Sequence, residues 1–552
     1  MDNSSAKPPL AQVAFRSRRE RTLITFVHQE WPGLFGAIAA AIAIKVALVL
    51  SGAIPFNGDE AVLGLMARHI LQGERPVFFY GQAYMGSLDA WLVAVAFRLL
   101  GESVFSIRLV QILLYALFML TLWQLARRLF TDRGIANLVI WLAALPPVLI
   151  TTYTTPSLGG YGETLVFGNL ILWIGYEVSF GSWKRNWRAW CAMGLVGGLA
   201  FWTLGLAGVY LLPVAILVFW QWKSQYFSPG RLRELGLGMA GFLAGSSPWW
   251  GYNFSRDWTA LHALSGPASN TTTPFQHLIG FLLLGLPALA GLRPPWSPQF
   301  APWPVLFVGM IFYLAAGLFL WRALSGRKLP LTPGAGRLLG LFALVFLLAF
   351  VFTNAGVDAT GRYLLPLYPL VLMGLATFLN SAWRWRRWAG VSLLALALLL
   401  NGVETARAAL SEDRITTQFS PVTRFDNRYD AELLDFLRQH GERRGYTNYW
   451  VSFRLAFLSQ EQVIFAAVLP YRENMQPTPG DDRYPKYLQE ADASPRTAYI
   501  TSKLPLLDEA LRQRFLGMGV AFNEKQIGEY HLFYGLSRPV RPGELRLEET
   551  IP

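Results

Sequence analysis

The chain has almost none of the residues that staple small secreted domains together. Of 552 residues one is a cysteine, Cys191, set in an apolar stretch. A lone thiol excludes an intrachain disulfide and says nothing about redox compartment. Charge is scarce as well, at 15% of the chain, where soluble domains carry about 25%. No glycine-rich loop of the phosphate-cradling type occurs, which argues against ATP or a nucleotide-sugar donor. The histidines (28, 69, 262, 277, 440 and 531) show no HxxxH or similar spacing, so no metal motif is written along the chain. The N-terminal arginines 16, 18, 19 and 21 are not followed by a short apolar core with a small-residue cleavage site, and no cleaved signal peptide is expected.

Hydrocarbon is abundant instead. Hydrophobic residues make up 53% and aromatics 14%, with a mean hydropathy of +0.33, spread over many separate apolar runs. This composition predicts a polytopic α-helical membrane protein. With about 20 apolar residues as the length of one span, the runs are roughly 33–54, 105–125, 135–152, 164–181, 189–205, 207–222, 236–252, 302–321, 337–353, 363–380 and 388–403, about eleven in all. The net charge of +13 is not read as a nucleic-acid partner, because the cations gather at the ends of these runs. Arg127, Arg128 and Arg133, then Lys184, Arg185 and Arg188, then Lys223, Arg231 and Arg233, then Arg322, Arg327 and Lys328, then Arg384, Arg386 and Arg387 mark every second loop as cytoplasmic. The apolar run 278–292 is too short for a crossing and fits a re-entrant or interfacial helix on the outer side.

Three regions follow: a cytoplasmic tail (1–32), a membrane domain (33–403) and an outer soluble α/β domain (404–552). The last alternates helical patterns such as "AELLDFLRQH" with strand-like runs such as "YWVSF", "QVIFAAV" and "RTAYI". Parity also places residues 55–104 outside. There "DEAVLGLMARHILQGE" and "SLDAWLVAVAFRLLGE" read as amphipathic helices along the membrane surface.

Acids at the outer helix ends are costly beside hydrocarbon, so their recurrence points to function. They are Asp59 and Glu60 directly after the first run, Asp89, Glu163 and, more weakly, Asp358. Arg362 and Tyr363 precede a span that Pro366 and Pro369 would kink. A guanidinium there can grip a phosphate, and a carboxylate nearby can take a proton from a hydroxyl. Together these tools suit sugar transfer from a lipid-linked phosphate. Each residue also has a plain structural role open to it. Asp59 and Glu60 complement a helix N-terminus, Asp89 lies on a solvated helix face, Glu163 belongs to a cap, and Arg362 with Tyr363 anchors at the headgroups. Lys45, inside the first run, is either functional or turned toward a neighbouring helix carbonyl. His69 meeting Asp59 or Asp89 in space would be needed for a metal site. The sequon at Asn270 carries little weight.

The stretch "GDEAVLGLMARHILQGERPVFFYGQAYMGSLDAWLVAVAFRLLGES", followed by "SIRLVQ", resembles the first outer loop of the GT-C superfamily. The likeness is to the protein mannosyltransferase and aminoarabinose transferase branch, glycosyltransferase family 39. "GRYLLPLYPLVLMG" is similar to the Arg-Tyr-x-x-Pro stretch that those enzymes carry before a late span. The resemblance implies an inverting transferase that moves a hexosyl or pentosyl group from a polyprenyl phosphate to an acceptor hydroxyl of a lipid, glycan or protein. It places this activity on the periplasmic or extracellular face of a bacterial plasma membrane. By that resemblance Asp59 is the catalytic carboxylate, Glu60 its neighbour in an acidic pair, and Arg362 with Tyr363 the donor-phosphate site. Asp89, Glu163, His69 and Tyr84 are then candidates for the acceptor or for a divalent metal ion, in a family of variable metal use. The aminoarabinose branch carries Glu-Lys-Pro-Pro after the loop tyrosine, whereas here Tyr84 is followed by "MGSLDAW", leaving Asp89 to supply a carboxylate. Two other classes compete: a transporter or lipid flippase, for which matched inverted halves are missing from the sequence, and a non-catalytic membrane scaffold.

Overall fold

A computed structural model describes residues 31–184, 186–222, 228–264, 272–325, 330–545 and 547. The tail at 1–30, Arg185, Lys223, Asn270, Arg327 and Lys328 lie outside the described residues. Helix α1 (Trp31–Leu50) is followed by α2 (Gly58–Leu71), a short hairpin of β1 (Phe78–Phe79) and β2 (Gln82–Gly86), and α3 (Leu88–Leu100). Then come α4 (Val104–Leu129), α5 (Arg133–Ala144), α6 (Val148–Tyr153), α7 (Tyr161–Ser179), α8 (Trp187–Thr203) and α9 (Gly208–Trp222). The chain continues with α10 (Pro229–Gly245), α11 (Ser247–Ser255), α12 (Thr259–Leu264), α13 (Pro274–Gly280) and α14 (Leu286–Leu289). The long helices α15 (Trp303–Leu324), α16 (Ala335–Phe352), α17 (Tyr368–Trp385) and α18 (Arg387–Leu410) close the series.

Every apolar run seen in the sequence carries helix. Among the described residues six helical segments are long and apolar enough to cross a membrane: 31–50, 104–129, 205–222, 335–352, 362–385 and 387–410. This is an integral membrane protein. Pro146 and Pro147 divide the third run into α5 and α6, since proline supplies no backbone N–H to the helix ladder. Glycines decide how closely α8 and α10 approach. A methyl group at Gly194 would lie 2.0 Å from the Gly238 carbonyl oxygen, one at Gly198 2.2 Å from that of Phe242, and one at Gly245 2.3 Å from that of Leu195. Small residues four apart let two backbones touch where lipid gives no hydrophobic drive for association. The 278–292 run forms α13, a π turn (Phe281–Gly285) and α14, docked on the C-terminal end of α16 through a 2.8 Å bond between His277 Nδ1 and the Val351 carbonyl.

After α18 the chain builds α19 (Asp430–Gln439), β3 (Arg444–Thr447), α20 (Tyr449–Leu458), β4 (Ile464–Ala467), α21 (Lys486–Ala493), β5 (Ala498–Ser502), α22 (Pro505–Gly517), β6 (Asn523–Ile527) and β7 (Tyr530–Tyr534). The five strands form one sheet in the order β4-β3-β5-β7-β6. β3 runs parallel to β4 and β5, while β7 is antiparallel to β5 and β6.

Two local expectations are corrected. "YWVSF" is helical, the first half of α20, because Asn448 caps it by accepting from the N–H groups of Trp450 and Val451. α2 is not a surface helix: from Gly58 through Ile70 all but Asp59 are buried. Its Gly64 leaves room for α20, since a methyl group there would lie 2.6 Å from the Phe457 ring. α3 does keep an apolar exposed face, with Trp91, Val95 and Leu99 at four-residue spacing. Tyr449, Phe453 and Phe457 of α20 share one core with the membrane helices, so this part of the segment after 404 is fastened to the membrane part by packing.

Candidate active site

Asn57 caps α2 by accepting from the Glu60 N–H at 3.0 Å, and Asp59 thereby sits in the first turn of a helix whose N-terminus faces an open cavity. The cavity measures about 760 Å³, and its wall includes Asp59, Tyr84, Arg362, Tyr363, Gln418 and Trp450. Arg362 follows Gly361, whose φ of +80° makes the left-handed turn that starts the 3₁₀ segment Arg362–Leu367. Asp358 steadies the turn: its carboxylate accepts from the Thr360 N–H at 2.7 Å and meets Arg362 Nε at 2.5 Å. The guanidinium lies 5.0 Å from the Tyr363 ring centre, and 41% of the side chain stays accessible, which leaves its outer edge free for a ligand.

A buried arginine holds this loop from behind. Arg293 donates to the carbonyls of Leu284 at 2.8 Å, Ser297 at 2.7 Å, and Ala359, tying the α13–α14 segment to the turn that carries Asp358 and Arg362. Burial pulls its guanidinium down to about 10. On the facing wall, burial raises the Tyr84 phenol above its ordinary range, with Tyr363 and Asp59 adding to the effect and Arg362 opposing it.

Five sequence candidates stand elsewhere. Glu60 does not join Asp59 in the cavity wall; it is fully buried and held by Arg108 through two bonds of 2.9 and 2.8 Å, while the same guanidinium donates to the Ile54 carbonyl at 3.0 Å. The next position along a helix points about 100° away, so adjacent acids part company. His69 meets neither Asp59 nor Asp89. Its ring nitrogens lie 2.9 Å from Glu461 and 3.0 Å from the Tyr80 hydroxyl, and it stacks on Tyr484 at 4.7 Å, in a cluster that joins α2 to the segment after 404. Asp89 is buried rather than on a solvated face. It accepts from Ser157 and, at 3.0 Å, from Gln111. Burial lifts its carboxyl to about 6, against the lowering effect of those bonds. Glu163 lies beside it, buried, with neither carboxylate oxygen in a hydrogen bond. Lys45 has taken the carbonyl alternative, with Nζ 3.1 Å from the Thr154 oxygen and 2.9 Å from the hydroxyls of Thr154 and Thr155.

Asp89 and Glu163 are the two acids that come together, and they bring no third ligand. Among the described residues no group of three or more His, Cys, Asp or Glu side chains is placed to hold a metal ion.

Several residues in the wall or beside it were not singled out by the sequence reading. Tyr449 donates to Asp59, Trp450 and Gln418 line the cavity, and Arg483 places its guanidinium 5.4 Å from the Tyr449 ring. All belong to the segment after 404. The signal available was "NYW", an N-cap followed by two aromatics, hidden by its strand-like composition.

Residues 87–252 match the family described as dolichyl-phosphate-mannose-protein mannosyltransferase. This covers α3 through most of α11, with Asp89 and Glu163 inside it and Asp59 and Arg362 outside. The undecaprenyl phosphate-alpha-4-amino-4-deoxy-L-arabinose arabinosyl transferase 2 of Proteus mirabilis is 24% identical over 282 residues, 46% of this chain and 48% of that protein. The corresponding transferase of Pseudomonas aeruginosa is 26% identical over 263 residues, 44% of this chain and 45% of that one. The chain thus spans about half the length of these relatives. The crystal structure of ArnT from Cupriavidus metallidurans bound to undecaprenyl phosphate superposes with a TM-score of 0.58 at 14% identity, covering 91% of this chain and 98% of that one. In its sequence and in its fold, the chain resembles the membrane-embedded glycosyltransferases of the GT-C superfamily.

Proposed function

We propose that the chain transfers a sugar from a polyprenyl phosphate to an acceptor hydroxyl, with inversion, on the periplasmic or extracellular side of the membrane. Eleven spans and an outer domain from about residue 404 belong to the same reading. The observation that carries it is the shared cavity: a carboxylate from the start of α2 and a guanidinium from the start of the α17 segment face one space of about 760 Å³.

The Arg362 guanidinium, with Tyr363 beside it, receives the donor's phosphate through charge-assisted hydrogen bonds. The acceptor oxygen attacks the anomeric carbon from the opposite side, and the bond between that carbon and the phosphate oxygen breaks. The lipid leaves as a phosphate monoester whose new charge Arg362 stabilises. Asp59 takes the acceptor proton, and the Tyr449 hydroxyl fixes the direction of its carboxylate. A relative named for undecaprenyl phosphate aminoarabinose transfer and a similarly folded structure bound to undecaprenyl phosphate support this donor class.

The test is incubation of the purified chain in nanodiscs with a panel of polyprenyl-phosphate sugars and a membrane extract that supplies lipid, glycan and protein acceptors. Release of free lipid phosphate from at least one donor is expected. A panel that stays intact, in protein shown to be folded, contradicts the reading.

A further inference from the structure

Two residues of the β1-β2 hairpin, Gln82 and Tyr84, stand in the wall of the Asp59 cavity. They lie two positions apart on β2 and so share a face of the strand. The tip of the hairpin is gripped from the segment after 404. Arg483 lies against Gly81, where a methyl group would meet its Cδ at 2.7 Å, and its guanidinium lies 5.4 Å from the Tyr449 ring. Beside it the Tyr484 ring lies 4.9 Å from that of Tyr80, at 23° to it.

This grip decides which way the Gln82 amide points. The oxygen end of an amide is assigned from its neighbours, and one end of this amide has three donors around it. They are Nη1 and Nη2 of Arg483, each at 2.9 Å, and the Tyr84 hydroxyl at 3.2 Å. Oε1 takes that end, since a guanidinium has no acceptor to offer an NH2 group. The Nε2 group then has no acceptor among the described residues, and Gln82 presents N–H donors at the cavity wall.

Carboxylates are scarce in the same wall. Among the described residues Asp59 is the one carboxylate there, and Tyr449 holds it. Asp358 is spent on Arg362 and Thr360. Asp89 and Glu163 are buried, Asp89 on Ser157 and Gln111. Asp481 has Arg483 and Arg472 near it and is not part of the wall. An ammonium group on a bound sugar would meet a guanidinium at the phosphate and an N–H donor at the hairpin, with the single carboxylate taken by the acceptor hydroxyl. A charge moved out of water without a counter-ion is costly, whereas a hydroxyl oxygen accepts from Gln82 without that cost.

We infer that the transferred sugar meets the hairpin with hydroxyl oxygens and carries no ammonium group, Gln82 being the specificity-determining residue and Arg483 the positioning residue that fixes its amide. That the sugar lies here rests on the transfer reading. This class of sugar differs from the 4-amino-4-deoxy-L-arabinose for which the Proteus mirabilis relative is named.

The full chain in nanodiscs, titrated with short-chain polyprenyl-phosphate sugars by calorimetry, tests this. The probes are two matched pairs, the arabinose and the glucose donor, each with its 4-amino-4-deoxy counterpart. Release of lipid phosphate is read in the same preparations with a membrane extract as the source of acceptors. In at least one pair the hydroxyl donor should bind at least about tenfold more tightly than the amino donor, the low end for a hydrogen bond to a charged group. Gln82→Glu puts a carboxylate oxygen where the NH2 group stands and keeps a partner for Arg483. It should move the ratio within that pair at least about tenfold toward the amino donor. Arg483→Met releases the amide and should bring the ratio closer to one, whereas damage to the fold alone would weaken both donors alike and leave the ratio where it was. Amino donors bound as tightly as their hydroxyl counterparts in both pairs, an unchanged ratio in Gln82→Glu, or no binding of any of the four donors overturns the assignment. A hydroxyl preference in binding with no lipid phosphate released contradicts the transfer reading and supports the sugar class.

Discussion

Tyr449, from the segment after 404, donates its phenolic hydrogen to a carboxylate oxygen of Asp59 at the start of α2. Burial and the neighbouring Asp59 charge push the phenol well above its ordinary range, so it remains a donor at any physiological pH. The segment after 404 therefore contributes to the cavity rather than only covering it. Tyr449→Phe removes that bond and keeps the ring. Hydrogen bonds to charged groups contribute roughly 1.5–3 kcal/mol, so turnover should fall at least about tenfold while the KM for the donor holds. Steady-state kinetics with the active donor check this, and unchanged turnover contradicts it.

Glu60 and Arg108 form a buried pair, and this position predicts that its loss costs stability before it costs chemistry. Removing one partner of such a pair costs roughly 3–5 kcal/mol, because the other is left charged and unpaired. Glu60→Gln should lower the thermal midpoint markedly, and Glu60→Met with Arg108→Leu should recover most of it. Turnover per folded molecule should survive in the double variant. Loss of turnover there with stability restored would return Glu60 to the reaction.

Helix positions and most of the fold were legible because hydrocarbon demands long apolar runs, and Pro146 and Pro147 even mark where one of them breaks. Asp59, Tyr84, Arg362 and Tyr363 do meet in one cavity. Their neighbours Glu60 and His69 do not, since sequence proximity fixes neither the direction of a side chain on a helix nor which distant carboxylate or guanidinium will claim it. Arg108, Glu461 and Tyr449 make those choices through contacts far along the chain. α20 was unreadable as a helix because, buried on several sides, it lacks the polar stripe that marks the helical period.

The cluster joining α2 to the segment after 404 should respond to acid. Burial alone would raise Glu461, yet hydrogen bonds from His69 and Tyr487, with Arg68 close by, hold it down at about 2. Glu74 behaves alike: burial raises it, and Lys486, Tyr80 and Tyr484 bring it to about 2. An unfolded glutamate titrates near about 4.3. Both folded values are depressed, so the stability they contribute is complete above that value and is lost as pH falls from about 4 toward 2. The thermal midpoint should drop over that window, and Glu461→Gln should flatten the drop. An identical slope in wild type and variant contradicts the assignment.

Gly64 shows how tightly α2, α4 and α20 converge. A methyl group there would lie 2.6 Å from the Phe457 ring and 2.9 Å from Ile107 Cδ1. Alanine at an open helix position would stabilise, but overpacking a filled core costs roughly 1–3 kcal/mol. Gly64→Ala should therefore lower the thermal midpoint. A midpoint that rises shows that α20 does not sit against α2 as described.

The most direct measurement compares wild type with Asp59→Asn for release of lipid phosphate from a polyprenyl-phosphate sugar in the presence of acceptor, with binding of that donor read in the same samples. Transfer of the acceptor proton to Asp59 predicts donor binding unchanged and release reduced by at least about 100-fold, the lower range for a positioned general base. Near-normal release from the folded variant contradicts it.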